Sequence, residues 1–182
     1  MKKYIIIITL LALGLISYFS VGEKTPKKFS FSTNNTVVHF SPHGGCREAI
    51  LIQINKSSKQ ILVQAYNFTD LQIVAALIEA KQRGVDVKII CDESASKSKY
   101  QQEAIVKCRN AGIVVSLDGK HKIAHNKIII IDGVIVITGS YNFSNSAENY
   151  NAENLLVISD VVLANSYIDN WNKHYSHSTM SE

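Results

Sequence analysis

Apolar positions along this chain fall into two alternating rhythms. Short runs rich in Ile, Val and Leu occupy residues 36–40, 61–68, 85–91, 113–117 and 153–158, and each is bounded by polar or glycine-containing segments. Such runs predict strands. Between them the apolar residues recur at helical spacing. Residues 46–55 and 99–110 read as helices, and Leu71, Val74, Leu77 and Ile78 form one stripe after a capping Thr69 or Asp70, ended by Gly84. Beyond Asp160, a second capping residue, Ala164, Ile168, Trp171 and Tyr175 line one face of a last helix. Strand and helix in alternation predict an α/β sandwich in one domain.

The exception to that alternation is residues 127–138. Two apolar, β-branched runs flank Asp132-Gly133, the strongest short-range signal for a hairpin with a two-residue turn. Such a turn sets Ile131 opposite Val134, Ile129 opposite Val136, Lys127 opposite Thr138 and His125 opposite Ser140. In that register His125, Lys127, Ser140 and Asn142 project from one face at one end of the hairpin. A core hairpin with a solvated rim accounts for one histidine there but not for four polar groups together.

Those groups suit a tetrahedral anion. Lys127 supplies a point charge, His125 a nucleophile or proton carrier, and Ser140 and Asn142 neutral donors, while Gly139 leaves room for close approach to the backbone. Asp132 lies seven residues from His125, roughly 23 Å along an extended strand, and reads as a turn residue. His121 and His125 have the spacing of two zinc ligands on a helix, but they fall in loop and strand with no intervening glutamate, which speaks against zinc hydrolysis.

Composition adds the compartment. Lys2 and Lys3 precede an uncharged run over residues 4–22, read as an export signal cleaved after Gly22, with an uncleaved membrane anchor as the rival. Residues 23–35 are polar and aperiodic, a linker before a domain at 36–182. The formal charge is +4, and removal of residues 1–22 takes away two lysines and no acid, leaving +2. That is modest for a protein relying on long-range attraction to polyphosphate. Cys46, Cys91 and Cys108 cannot all pair within one chain; buried thiols or one disulfide both fit.

The spacing His125-x-Lys127, Asp132, Gly139-Ser140-x-Asn142, with Glu153 downstream, resembles the HKD signature of the phospholipase D superfamily without a gap. The resemblance covers most of the chain after about Val37. It implies a mixed β-sheet flanked by helices, and a catalytic set of His125, Lys127, Asp132 and Glu153, with Lys127, Ser140 and Asn142 on the substrate. The family's chemistry uses two copies of the motif and this chain has one, so a homodimer sharing one active site is expected, with no cofactor. One His125 forms a phosphohistidine, the other protonates the leaving group, and Glu153 holds the imidazole Nδ1. Some relatives carry a zinc module near the start of the domain; His39, His43 and Cys46 are one ligand short of it, so no metal is expected. The activity implied is release of a phospholipid head group at a membrane surface. A metal-independent endonuclease acting on nucleic acid is the alternative; Tyr66, Phe68, Tyr141 and Phe143, near predicted strand ends, fit base stacking or acyl-chain contact equally, and core packing is the commoner role for such aromatics. A noncatalytic anion-binding protein is the third reading. A secreted or periplasmic location, or a membrane-anchored one, follows from the leader.

Overall fold

The computed structural model describes residues 31–33 and 35–180. The export signal and most of the linker lie outside these residues. The elements run β1 (Phe31–Thr33), β2 (Thr36–Ser41), α1 (Cys46–Lys56), β3 (Gln60–Ala65), α2 (Leu71–Gln82), β4 (Asp86–Asp92), a short 3-10 turn (Ala95–Lys97) and α3 (Lys99–Asn110). They continue with β5 (Val114–Asp118), β6 (Lys127–Ile131), β7 (Ile135–Gly139), α4 (Asn145–Asn149), β8 (Glu153–Ser159), α5 (Val161–Tyr175) and β9 (Thr179–Met180).

Among the described residues the nine strands form one sheet in the order β1-β2-β8-β7-β6-β3-β4-β5-β9. The pairs β3–β4 and β4–β5 are parallel, joined by α2 and α3, and the other pairs are antiparallel. The sheet is therefore mixed, with helices on both faces. One face carries the larger core, in which Ile61, Val63, Ile89, Ile129 and Ile137 meet Ile50, Ile54, Ile73 and Leu77 of α1 and α2. The other face is covered by α5, whose Ala164 and Trp171 pack on Leu62, Ile90, Ile128, Ile130 and Val136. Alternate residues of β6 thus serve opposite cores, which is why this strand reads as a continuous isoleucine run. Buried Trp171 also donates from its indole Nε1 to the Val63 carbonyl at 3.0 Å, fixing α5 along the sheet.

The helix boundaries follow the caps. Asp70 accepts from the Gln72 and Ile73 amides and Asp160 from those of Val162 and Leu163. Each satisfies N–H groups the first helical turn leaves unpaired. Asp70 is also ion-paired to Arg47 at 2.7 Å, tying α2 to α1.

Three short elements have no counterpart in the sequence pattern. Phe31–Thr33 was expected to be linker but pairs with β2, α4 falls within a polar connection, and β9 adds to the β5 edge. A larger correction concerns the hairpin. Asp132 and Gly133 do take positive φ, 54° and 69°, but the pairs are Ile131 with Ile135, Ile130 with Val136 and Ile129 with Ile137. The register is one residue off the expected one: Val134 donates its amide to the Ile131 carbonyl across the turn, but Ile135 stands opposite Ile131, so Val134 is an extra residue on the β7 side. Its carbonyl accepts the Asp160 amide at the β8–α5 junction.

Candidate active site

The antiparallel insertion of β6 beside β3 sets the start of β6 at the C-terminal ends of the parallel strands. Lys127 opens β6 opposite Ala65, and His125 lies in the loop just before it. That loop is held by the carboxylate of buried Asp92, at the end of β4, which accepts the Ala124 amide at 2.6 Å. The Tyr66 amide donates to the Asn126 carbonyl at 2.8 Å, and the Tyr66 ring lies 4.6 Å from the His125 ring, tilted by 54°. His125 is exposed. Among the described residues its imidazole has no hydrogen-bond partner.

Lys127 is 7% exposed. Its ammonium donates to the His125 carbonyl at 2.9 Å and lies 5.3 Å from the centroid of the Tyr66 ring. Burial pushes the lysine pKa down, and the Glu153 carboxylate opposes that shift only in part. Glu153 itself accepts from the Ser140 hydroxyl at 2.6 Å and the Asn151 amide at 3.1 Å. A cavity bounded by His125, Lys127, Thr138, Gly139, Tyr167 and Asn170 opens beside this group, with about 460 Å³ accessible.

The shifted register would by itself turn Ser140 away from Lys127. A bulge compensates: the amides of Ser140 and Tyr141 both donate to the Asn154 carbonyl, at 3.1 and 3.3 Å. Regular alternation ends there. The Ser140 hydroxyl reaches Glu153 while Tyr141 stays in the core. Gly139 is required by this bulge. Its φ is 150° and a Cβ there would fall 2.3 Å from the Asn154 carbonyl oxygen. Asn142 presents a buried amide oxygen with no hydrogen-bond partner among the described residues. The amide is not consumed by the fold, and either orientation of it leaves an end free for a ligand.

Other residues singled out by the sequence have these surroundings. Asp132 stands at the far end of β6 from Lys127, and its carboxylate accepts from the amides of Ser58, Lys59 and Gln60 at 2.8–2.9 Å and from the Ser58 hydroxyl at 3.1 Å. It ties the hairpin to the start of β3, in keeping with the turn position read from its spacing. Within the chain Glu153 does not hold the His125 imidazole; its partners are Ser140 and Asn151. Of the four aromatics considered as stacking residues, Phe68, Tyr141 and Phe143 are fully buried, and only Tyr66 borders the site. His121 turns away from His125 toward Asp118, His174 and His177. The cysteines are all buried free thiols.

Gln101 was not singled out by the sequence. Fully buried on α3, it accepts from the Phe68 amide at 2.9 Å and donates to the Tyr66 carbonyl at 3.2 Å, so it positions the segment that carries Tyr66. A helical glutamine has no local signal for such a role.

A mixed sheet between helices presents an exposed imidazole and a buried lysine at the strand ends, a pairing suited to chemistry on a phosphate ester. Residues 50–175 match the family model described as "Cardiolipin synthase, PLD-like domain". The chain is 45% identical over 163 residues to the Phospholipase D of Rickettsia felis, covering 87% of this chain and 80% of that protein. It is 42% identical over 166 residues to that of Rickettsia prowazekii, covering 91% and 75%. Among solved structures it resembles Nuc, a phospholipase D family member from Salmonella typhimurium, with a TM-score of 0.79 and 37% identity over 81% of this chain and 97% of that one. The chain belongs to the phospholipase D-like family and is a phosphodiester hydrolase.

Proposed function

We propose that this hydrolase is a phospholipase D that cleaves the head-group phosphodiester of phospholipids as a homodimer with a shared active site. The observation that carries the reading is the buried Lys127 ammonium beside an exposed His125 imidazole with no hydrogen-bond partner among the described residues. Among the described residues one chain supplies one nucleophile and no second imidazole beside Lys127 for the leaving group. A twofold axis would supply it.

In this mechanism the neutral His125 ring nitrogen attacks phosphorus, and the bond to the head-group oxygen breaks. The partner's His125, protonated, gives its proton to that oxygen, and the alcohol leaves. The same ring then takes a proton from water as the water oxygen attacks phosphorus. The P–N bond breaks, releasing phosphatidic acid and restoring His125. Lys127 from each subunit and the Asn142 amide carry the charge on the nonbridging oxygens. Glu153, hydrogen-bonded by Ser140, favours the charged form of Lys127, and Asp132 holds the hairpin that presents the set.

Phospholipid is favoured over nucleic acid by the Rickettsia relatives named Phospholipase D. The uncharged leader supports an exported or membrane-anchored protein acting at a lipid surface. The test uses the full chain in detergent micelles, beside His125→Ala, offered phosphatidylcholine vesicles and plasmid DNA. Choline release lost in the variant is the expected result. DNA nicking with inert lipid would replace phospholipase by endonuclease, and activity on neither would leave an anion-binding protein. Mixing wild-type and His125→Ala subunits should lower activity in proportion to heterodimer content; a fully active monomer refutes the shared site.

A further inference from the structure

A second constellation lies apart from the Lys127 end of β6. Asp118, the last residue of β5, is fully buried, with 0% side-chain exposure, yet three imidazoles surround its carboxylate. His174 Nδ1 lies 2.7 Å from Oδ2, His121 Nδ1 lies 3.1 Å from both oxygens, and His177 Nε2 lies 3.4 Å from Oδ1. The rings also face one another, with centroids 4.9, 5.3 and 5.4 Å apart. His121 belongs to the loop after β5, His174 to the last turn of α5 and His177 to the segment beyond it. Three separate pieces of chain thus bring one nitrogen each to a single carboxylate.

Hydrogen bonding within the cluster accounts for only part of this. The Lys120 amide and two of the imidazoles bond to Asp118. The His177 Nε2 is buried, aimed at the carboxylate, and makes no aligned hydrogen bond. A buried nitrogen lone pair or N–H without a partner is costly and calls for one. The four candidate ligand atoms all lie within 4.8 Å of one another. Ligands on a tetrahedron with bonds of about 2.0–2.2 Å stand roughly 3.3–3.6 Å apart, so the widest separations would close by up to roughly 1.2–1.5 Å and the 2.7 Å His174–Asp118 contact would open to complete the polyhedron.

We propose that Asp118, His121, His174 and His177 bind one zinc ion as a closed four-ligand site. Three imidazoles with one carboxylate suit zinc, whereas magnesium and calcium take oxygen ligands almost alone. With four protein ligands the ion has a structural role. It would clamp the C-terminal end of α5 to the loop over residues 119–124, the loop that leads directly into His125. The sequence pairs His121 with His125 and groups His39 and His43 with Cys46, neither a full ligand set; the ligands that complete this one come from the far end of α5.

The proposal is independent of the catalytic reading, since its readout is metal binding. The full chain, purified in detergent without a histidine tag and stripped by chelator dialysis, is titrated with ZnCl2 against a fluorescent zinc indicator, with metal content measured after gel filtration. One zinc per chain is expected. A hundredfold excess over Kd should raise Tm by about 5–10 °C, and MgCl2 should not. His177→Gln and His121→Gln should each weaken zinc binding at least about tenfold, while His39→Gln, outside the cluster, should not. His121 is half exposed in its side chain, so its variant decides the matter even if Asp118→Asn fails to fold. Zinc retained below about 0.1 per chain, affinity unchanged in both histidine variants, or an equal Tm rise with magnesium overturns the site.

Discussion

Replacing Asp132 by Asn separates a structural aspartate from a catalytic one. The Asp132 carboxylate accepts four hydrogen bonds, three from successive amides at residues 58–60. Asparagine keeps one acceptor oxygen for the Lys59 and Gln60 amides but turns an NH2 group toward the Ser58 amide, a donor facing a donor. Charge assistance is lost as well. Three of the four bonds are solvent-exposed, so water takes up part of the deficit, and the net cost should be about 1–2 kcal/mol. Asn tolerates the positive φ of 54°, so backbone strain does not confound the result, whereas Asp132→Ala adds roughly 1 kcal/mol or more for that conformation. At about 2–4 °C per kcal/mol, Asp132→Asn should lower Tm by roughly 2–8 °C. Its pH dependence is also defined. Burial raises the Asp132 pKa, but the amides of Gln60, Lys59 and Ser58 outweigh burial and hold it below the ordinary value. A carboxyl depressed in the folded state stabilises above the unfolded pKa, near about 3.9, and loses that contribution as pH falls through the folded value. The stability gap between wild type and Asp132→Asn should therefore be full above about pH 5 and close in acid. Urea unfolding across pH measures the gap, and turnover of a chromogenic phosphodiester measures kcat. Wild-type stability with a kcat reduced a hundredfold or more would refute the structural assignment.

Lys127→Met should abolish activity while raising stability by about 1 kcal/mol, because it removes a charge that burial destabilises. The lysine pKa is depressed in the fold, so wild-type stability should rise as pH approaches the unfolded lysine value, near about 10.4, and the Met variant should lose that rise. Inorganic phosphate should raise the wild-type Tm in a concentration-dependent way and leave Lys127→Met unmoved, as differential scanning fluorimetry would show. Trp171→Ala should cost about 3–5 kcal/mol in urea unfolding, since it empties the α5 contact and strands the Val63 carbonyl. Burial pushes the Cys46 and Cys108 thiols up to about 12 and the Cys91 thiol up as well. A disulfide-exchange thiol reagent should therefore react with the folded protein far more slowly than with the urea-unfolded chain.

Where the sequence was informative, one local interaction decided the outcome. Asp70 and Asp160 cap the helices they precede, and residues 99–110 form the expected helix, because each signal is contained within a few residues. The turn at Asp132-Gly133 was legible for the same reason. Its register was not, since the amide that captures the Val134 carbonyl belongs to Asp160 on another strand's exit. The motif also hid the bulge at Ser140 and Tyr141, which depends on the neighbouring Asn154 carbonyl rather than on the residue types. Phe68, Tyr141 and Phe143 looked like rim aromatics because they sit just past strand ends. They are buried because α4 and the 66–70 segment close over them, with the Thr69 and Asp70 amides both donating to the Phe143 carbonyl.

The sheet topology explains why these displaced details still converge. Parallel strands β3, β4 and β5 all end on one side, where α/β sheets place their ligands. Tyr66 leaves β3 there, Asp92 closes β4 and Asp118 closes β5. Inserting β6 antiparallel to β3 brings the start of β6 to that same side, so the loop carrying His125 must cross the three strand ends to enter the sheet. Each strand end then acts on that loop: Tyr66 contacts the His125 ring, Asp92 holds the Ala124 amide, and Asp118 gathers His121 with the end of α5. A one-residue register change in β7 leaves these contacts intact because they are made by β6 and its neighbours on the parallel side. The antiparallel side contributes Ser140, Asn142 and Glu153, and there the bulge provides the adjustment that the register requires.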